Sequence, residues 1–195
     1  EIIIGWSDTR DSMRDVYVQK LDADGEKLWG ENGIAVTKAF GRQEDPLLVG
    51  DGQGGAYVVW IDYRNEPDTK GDVYAQHVLS DGSLVWSLEG YPIVVKEGAQ
   101  RSPNMCKDGQ GGAYIIWKDF TVGQYEHVYA THISADNDVI NPGVGVPIMT
   151  NDSNHNGISL EIAGNGEAAM AWVDDRNGNL DIYGQRMLAD HENNT

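Results

Sequence analysis

Cysteine is almost absent. Cys106 stands alone, so no internal disulfide can form. Taken by itself that would favour a reducing compartment, although many surface proteins also do without disulfides. Long apolar runs are missing as well. The longest, such as Ala56-Tyr57-Val58-Val59-Trp60, are strand-sized, whereas a membrane helix needs ~20 apolar residues. The chain is therefore not expected to be membrane-embedded. Basic residues are scarce: 14 Lys and Arg face 31 Asp and Glu, a net charge of −17. Such a surface repels phosphate backbones, which argues against a nucleic-acid partner. The carboxylates are spread through turns and form no tail, which reads first as solubility. No segment keeps a 3.6-residue apolar period, and Gly and Asn interrupt every run, so no helix is expected. Catalytic signatures are missing too. There is no Gly-x-Ser-x-Gly elbow, and none of His77, His127, His132, His155 and His191 forms a His-x-x-x-His pair. The sequence opens inside an apolar run, Ile2-Ile3-Ile4-Gly5-Trp6, with no initiator Met. It reads as a mature or excised segment of a longer protein.

What is present is a repeat. Trp6, Trp60, Trp117 and Trp172 recur about every 55 residues, each followed two positions later by Asp8, Asp62, Asp119 or Asp174. Downstream come Val16-Tyr17-Val18-Gln19, Val73-Tyr74-Ala75-Gln76, Val128-Tyr129-Ala130-Thr131 and Ile182-Tyr183-Gly184-Gln185. Units of this length built from short strands signal a modular β architecture, because one unit cannot bury its own faces. The units fall at about 1–40, 41–97, 98–150 and 151–195. The second is complete: a strand at Asp45 to Val49, the hairpin Asp51-Gly52-Gln53-Gly54-Gly55, strands at Ala56 to Trp60 and Asp72 to Leu79, and an outer strand ending at Val95. The first unit lacks its opening strand, and the fourth stops before its outer one. The expected fold is all-β, a β-propeller or propeller-like array of about four blades of antiparallel strands with incomplete end blades.

A residue in every copy is probed first as scaffold, and one that departs from the repeat as a local site. Arg10, Arg64 and Arg176 each follow the motif Trp by four positions, and Asp15, Asp72 and Asp181 each precede the Val/Ile-Tyr pair. In the third copy both change together, to Thr121 and His127. This predicts ion pairs Arg10–Asp15, Arg64–Asp72 and Arg176–Asp181. Asp8, Asp62, Asp119 and Asp174 suit turn capping, or else one ligand each for calcium, which takes six to eight oxygens. No catalytic residue and no other cofactor is assigned. Cys106 aligns with Val49 and reads as packing. His77 and His132 share a position with Lys20 and Arg186, which reads as solvent-facing and basic. The Gly-rich turns precede strands, so they are not phosphate loops. Trp29 and Trp86, at equivalent places, serve either inter-blade packing or sugar stacking. Phe120, Tyr125 and His127, in the divergent third-copy stretch Thr121, Gln124, Tyr125, Glu126 and His127, complete the ligand-binding candidates. Tyr63 and Tyr91 are further copy-specific aromatics that would line a groove if they share a rim.

Read together, Gly54 to Arg64, Asp72 to Gln76 and on to Val94 resemble a tandem repeat of large secreted bacterial surface proteins. Asp15 through Asp24-Gly25-Glu26-Lys27-Leu28-Trp29 to Val36 match it equally. The resemblance covers nearly the whole chain. It implies an extracellular or cell-surface propeller-like region, attached to other domains of a longer chain, with no defined chemistry. Asp22 to Trp29 is more weakly similar to the Asp-box of sialidase-like propellers, with one extra residue before the Trp and no Thr. The sialidase catalytic residues cannot be assigned here. The expectation that follows is a non-catalytic binding or adhesion module meeting a glycan or surface protein. A structural spacer or assembly subunit ranks second, and a fragment of a sialidase-like glycoside hydrolase third. Non-repeating carboxylates gathered at one place would favour the hydrolase.

Overall fold

The computed structural model describes residues 1–11, 13–121, 125–151, 153, 155–164 and 166–188. Gln124, Asn165 and His191 lie outside them. Among the described residues there is no helix, and the strands form four antiparallel sheets. The first holds β1 (Ile2–Asp8), β2 (Asp15–Leu21) and β3 (Ile34–Ala35). The second holds β4 (Gln43–Gly50), β5 (Ala56–Asp62), β6 (Asp72–Val78) and β7 (Tyr91–Val94). The third repeats this with β8 (Gln100–Lys107), β9 (Ala113–Asp119), β10 (His127–Ile133) and β11 (Val146–Met149). The fourth has β12 (His155–Gly164), β13 (Glu167–Asp174) and β14 (Asp181–Met187). In each, neighbours in sequence are neighbours in the sheet. Among the described residues the first sheet has no strand equivalent to β4, and the fourth has none equivalent to β7. The arrangement is propeller-like.

The sheets stack through both faces, which is why β5 and β6 are buried along their whole length and read as unbroken apolar runs. One cluster joins sheets one and two through Val16, Val18, Trp29, Val58 and Trp60. A second joins two and three through Tyr57, Val59, Val73, Ile115 and Trp117. A third joins three and four through Tyr114, Ile116, Val128, Met170 and Trp172. The two outermost faces are open. Ile182 is 82% exposed, while Val16, Val73 and Val128, at the same repeat position, are fully buried under the next sheet.

Antiparallel order puts the end of each second strand, the start of each third strand and the start of each first strand at one edge. Consecutive sheets are laced there. Gln43 N–H donates to the Arg14 carbonyl at 2.6 Å, and Gln100 N–H to the Gly71 carbonyl at 2.8 Å. At the opposite edge Tyr57 Oη donates to the Gly111 carbonyl at 3.1 Å, and Tyr114 Oη to the Gly166 carbonyl at 2.5 Å, each reaching the next sheet's hairpin.

The motif Trp lies directly across from the motif Tyr in every sheet: Trp6 and Tyr17, Trp60 and Tyr74, Trp117 and Tyr129, Trp172 and Tyr183. The rings stack 6.1 to 6.2 Å apart. A glycine abuts the far edge of the indole in three copies. At Gly90, with φ +76, a Cβ would sit 2.5 Å from Trp60 Cη2; Gly145 and Gly33 repeat the contact on Trp117 and Trp6.

The predicted Arg–Asp ion pairs form with a different aspartate. Arg64 Nη2 lies 2.6 Å from Asp62 Oδ2 and its Nε 2.9 Å from Asp62 Oδ1. Arg10 grips Asp8 and Arg176 grips Asp174 through a single oxygen, Oδ2, which accepts from both Nε, at 2.8 Å in each, and Nη2. The physical reason is that Asp and Arg two residues apart flank a turn. The guanidinium folds back onto the carboxylate and lies over the motif Tyr, 4.0 Å from the Tyr74 ring. Asp15 and Asp72 are instead buried without such a cation, and burial pushes both carboxyls up from their ordinary value.

In the third copy Thr121 stands where the Arg would be, and a cation arrives from elsewhere. Lys96, from the preceding sheet's outer edge, places Nζ 2.5 Å from Asp119 Oδ2 and 4.9 Å from the Tyr129 ring centroid.

The position of His77 and His132 also differs from expectation. Both are 5% exposed, because the next sheet covers them. His77 Nε2 meets Asp51 Oδ2 at 3.1 Å and His132 Nε2 meets Asp108 Oδ2 at 2.9 Å. These aspartates open the Gly-rich hairpins, where their other oxygen accepts the backbone N–H groups of Gln53 and Gly55, or of Gln110 and Gly112. Burial would raise the Asp51 and Asp108 carboxyls, but the imidazole and backbone donors outweigh it and hold both below their ordinary value.

Candidate functional site

The third-copy departures meet the fourth sheet in a cleft of about 350 Å³. Phe120 follows the end of β9, while Tyr125 and Glu126 precede β10. Across from them are Ser153, His155 and Asn156 at the start of β12, and Asp175 and Leu180 in the β13–β14 connection. Phe120 and Tyr125 are each 38% exposed, so both rings present surface to a ligand. Glu126 pairs with Lys118. Glu126 and Asp175 are the carboxylate side chains lining this cleft, and neither is part of the repeat. The position of Asp175 is Thr9, Tyr63 and Phe120 elsewhere; that of Glu126 is Arg14, Gly71 and Leu180.

Ser153, His155 and Asp174 come together beneath the cleft, which raises nucleophilic chemistry as a reading. Ser153 Oγ donates to Asp174 Oδ1 at 2.9 Å and lies 3.2 Å from His155 Nε2. The His155 Nδ1 contact is the Glu126 carbonyl, at 3.0 Å. An activated serine needs its proton directed to an imidazole that a carboxylate orients from the far side. Here the carboxylate takes the serine's proton, and a backbone carbonyl occupies the imidazole's far side. His155 stands where the other sheets have Gln43 and Gln100, both fully buried. Its role is lacing sheet four to sheet three.

The remaining candidates are dispersed. Asp8, Asp62 and Asp174 each accept the indole N–H of their own motif Trp at 2.9 to 3.3 Å, besides their Arg. Arg10 holds the Asp8 carboxyl well below the usual carboxylate range, helped by Trp6. Arg176 does the same for Asp174, helped by Ser153 and Trp172. These aspartates lie one per sheet, their oxygens occupied by protein donors. No group of three or more His, Cys, Asp or Glu side chains placed to hold a metal ion occurs among the described residues.

Trp29 is a correction. It is 6% exposed, packed between the first two sheets, with Nε1 donating to the Ser80 carbonyl at 3.3 Å. A ring closed on both faces offers no sugar platform. Trp86 is half-buried and tilted on Tyr91, with centroids 5.1 Å apart, in the packing between sheets two and three. That contact takes Tyr91 away from the groove as well. His127 is half-buried at the start of β10, opposite Asp119. Of the ligand-binding candidates, Phe120 and Tyr125 are brought together at the cleft. Sequence reading offered Asp175 only as an oxygen donor near the motif Asp for a cation, and did not place it in this cleft. Its signal was available, a carboxylate at a position where no other copy has one.

No protein-family model and no curated protein matches this chain. Solved structures do. An endo-arabinase from Bacteroides thetaiotaomicron VPI-5482 overlaps at a TM-score of 0.53 and 14% identity, over 93% of this chain and 69% of that one. A puromycin hydrolase, as its S511A mutant complexed with PGG, overlaps at a TM-score of 0.53 and 15% identity. The match takes in 93% of this chain but only 27% of that protein. A thermostable family-43 glycoside hydrolase overlaps more loosely, at a TM-score of 0.48 and 11% identity over 95% of this chain and 69% of that one, too distant to argue from.

At these identities the likeness establishes the fold. It also overturns the ranking of functions. The two structures that overlap at a TM-score of 0.53 are an endo-arabinase and a puromycin hydrolase, and the expectation of a non-catalytic adhesion module, with no enzyme activity, is withdrawn.

Proposed function

We propose that this chain is part of a carbohydrate-active propeller of the glycoside hydrolase type, working outside the cytoplasm, with its sugar-binding cleft between the third and fourth sheets. The observation that carries the reading is the convergence of two exposed rings, Phe120 and Tyr125, with two non-repeating carboxylates, Glu126 and Asp175. An aromatic face takes the apolar face of a sugar ring. Glycoside hydrolysis uses one carboxylic acid to protonate the leaving oxygen and a second carboxylate as base or nucleophile. Glu126 and Asp175 are assigned to those tasks. The endo-arabinase that shares the fold supports a polysaccharide substrate, and polymers of that kind are met outside the cell.

The test is release of reducing ends from a panel of plant and microbial polysaccharides, arabinan included. Glu126→Gln and Asp175→Asn should each lower release by at least ~100-fold, in line with the loss of a general acid or base. Asp136→Asn, at an exposed turn, should leave it unchanged. Release that survives both cleft substitutions would move the site elsewhere, and a panel with no release at all would remove the hydrolase reading.

A further inference from the structure

The chain contains two phenylalanines, Phe40 and Phe120. Neither serves the core: Phe40 is 75% exposed and Phe120 38%. The core is built from Trp, Tyr, Val and Ile instead, so the two rings with no polar handle have both been left at the surface. They occupy the same edge of the array. Phe120 lies in the cleft between sheets three and four, and Phe40 in the matching cleft between sheets one and two, about 540 Å³ in volume.

This first cleft is also built from copy-specific residues. Met13 and Arg14 come from the β1–β2 connection, Phe40 and Arg42 from the approach to β4, and Tyr63 and Glu66 from the β5–β6 connection. The Arg42 guanidinium lies over the Tyr63 ring, 3.9 Å from its centroid. Arg14 Nη1 meets Glu44 Oε1 at 2.5 Å, and Arg42 Nη2 meets Glu66 Oε1 at 3.4 Å. Both guanidiniums thus have carboxylate partners, Glu44 also lying 3.8 Å from Arg42 Nε. The cleft does not present a bare positive charge for an anion. It presents fixed donors and acceptors side by side around exposed rings, the pattern that matches neighbouring hydroxyls and C–H faces of a neutral sugar. A net charge of −17 adds repulsion against an acidic polymer.

We propose that the cleft between sheets one and two is a second saccharide-binding site, and that one neutral polysaccharide strand engages both clefts. This rests on the reading of the cleft between sheets three and four as a sugar site. Two sites on one ligand turn the second contact into an intramolecular event, so a polymer binds more tightly than a short oligomer without any contact of higher quality. The cleft holding Glu126 and Asp175 would then cut a strand held at a distance along the same edge.

The experiment is affinity electrophoresis of the full chain in gels containing debranched arabinan, xylan, mixed-linkage β-glucan or polygalacturonate, beside calorimetry with the matching trisaccharides. The native protein should be retarded by at least one neutral polymer, and that polymer should bind at least ten-fold more tightly than its trisaccharide. Phe40→Ala should weaken polymer binding five-fold or more and leave trisaccharide binding in the other cleft unchanged. Phe40→Trp should preserve it. Phe120→Ala with Tyr125→Ala should abolish trisaccharide binding. If Phe40→Ala has no effect while the Phe120/Tyr125 pair does, the second site is refuted and the first stands. If only Phe40→Ala matters, the second site stands and the first reading falls. Retention by polygalacturonate in preference, or by no polymer, overturns the proposal, the latter leaving the cleft to a protein partner.

Discussion

Lys96→Met is the sharpest test of how the repeat is held together. In three sheets the motif Asp takes an Arg from its own turn; in the third, Lys96 of the neighbouring sheet supplies the charge. The Asp119 side chain is 3% exposed and that of Lys96 31%. Without Lys96, the Asp119 contacts that remain include the Thr121 N–H, donating at 2.8 Å. Trp117 Nε1, which in the other copies would donate to this carboxylate, has no acceptor among the described residues. Removing one partner of a buried pair costs about 3–5 kcal/mol. Water reaching Lys96 reduces this, and we expect about 2 kcal/mol at pH 7. For a chain of this length that is roughly a 4–8 °C fall in Tm. Adding Thr121→Arg to Lys96→Met restores the repeat's own arrangement and should recover at least half the loss. Lys27→Met, removing an exposed pair with Glu31, should cost under about 0.5 kcal/mol. Urea unfolding followed by tryptophan fluorescence measures all four proteins. A Lys96→Met loss no larger than that of Lys27→Met, or no rescue by Thr121→Arg, would refute the reasoning.

Gly90→Ala drives a methyl into Trp60, which is fully buried and cannot retreat. We expect a loss of about 2–4 kcal/mol. Gly25→Ala, at φ +85 with nothing within 4 Å, should show the backbone strain alone, about 1 kcal/mol, and equal losses at the two sites would remove the Trp contact from the explanation. The hairpin carboxylates set an acid limit. Asp51 and Asp108 are held below their ordinary 3.8 in the folded chain. Their contribution is therefore whole above about pH 4 and is lost as pH falls through their folded values. Asp51→Asn with Asp108→Asn should lower stability at pH 6 and flatten its decline between about pH 4 and 2, read by denaturant melts at each pH.

The residues that carried the repeat were legible because a strand's neighbours in this fold are also its neighbours in sequence. Trp60 and Tyr74 face each other across one hairpin, so a fixed spacing reports a fixed contact. The same locality misled the reading of Arg64. Asp62 and Asp72 are direct cross-strand partners, and spacing alone could not say which of the two takes the guanidinium. His77 and Trp29 failed for another reason. Both lie on faces that a second sheet covers, and nothing in one repeat reveals what the next lays upon it.

The sequence by itself determined the number of units, the order of strands within each, and the divergent stretch from Thr121 to His127. These are short-range matters of period, turn chemistry and apolar pattern. Only the tertiary structure decided that Phe120 and Tyr125 share a cleft with Asp175, that Phe40 marks a matching one, and that Lys96 stands in for a missing arginine. Each of those joins residues of different units. Their proximity comes from the stacking of one sheet on the next, which is set by packed volume and leaves no trace in linear spacing.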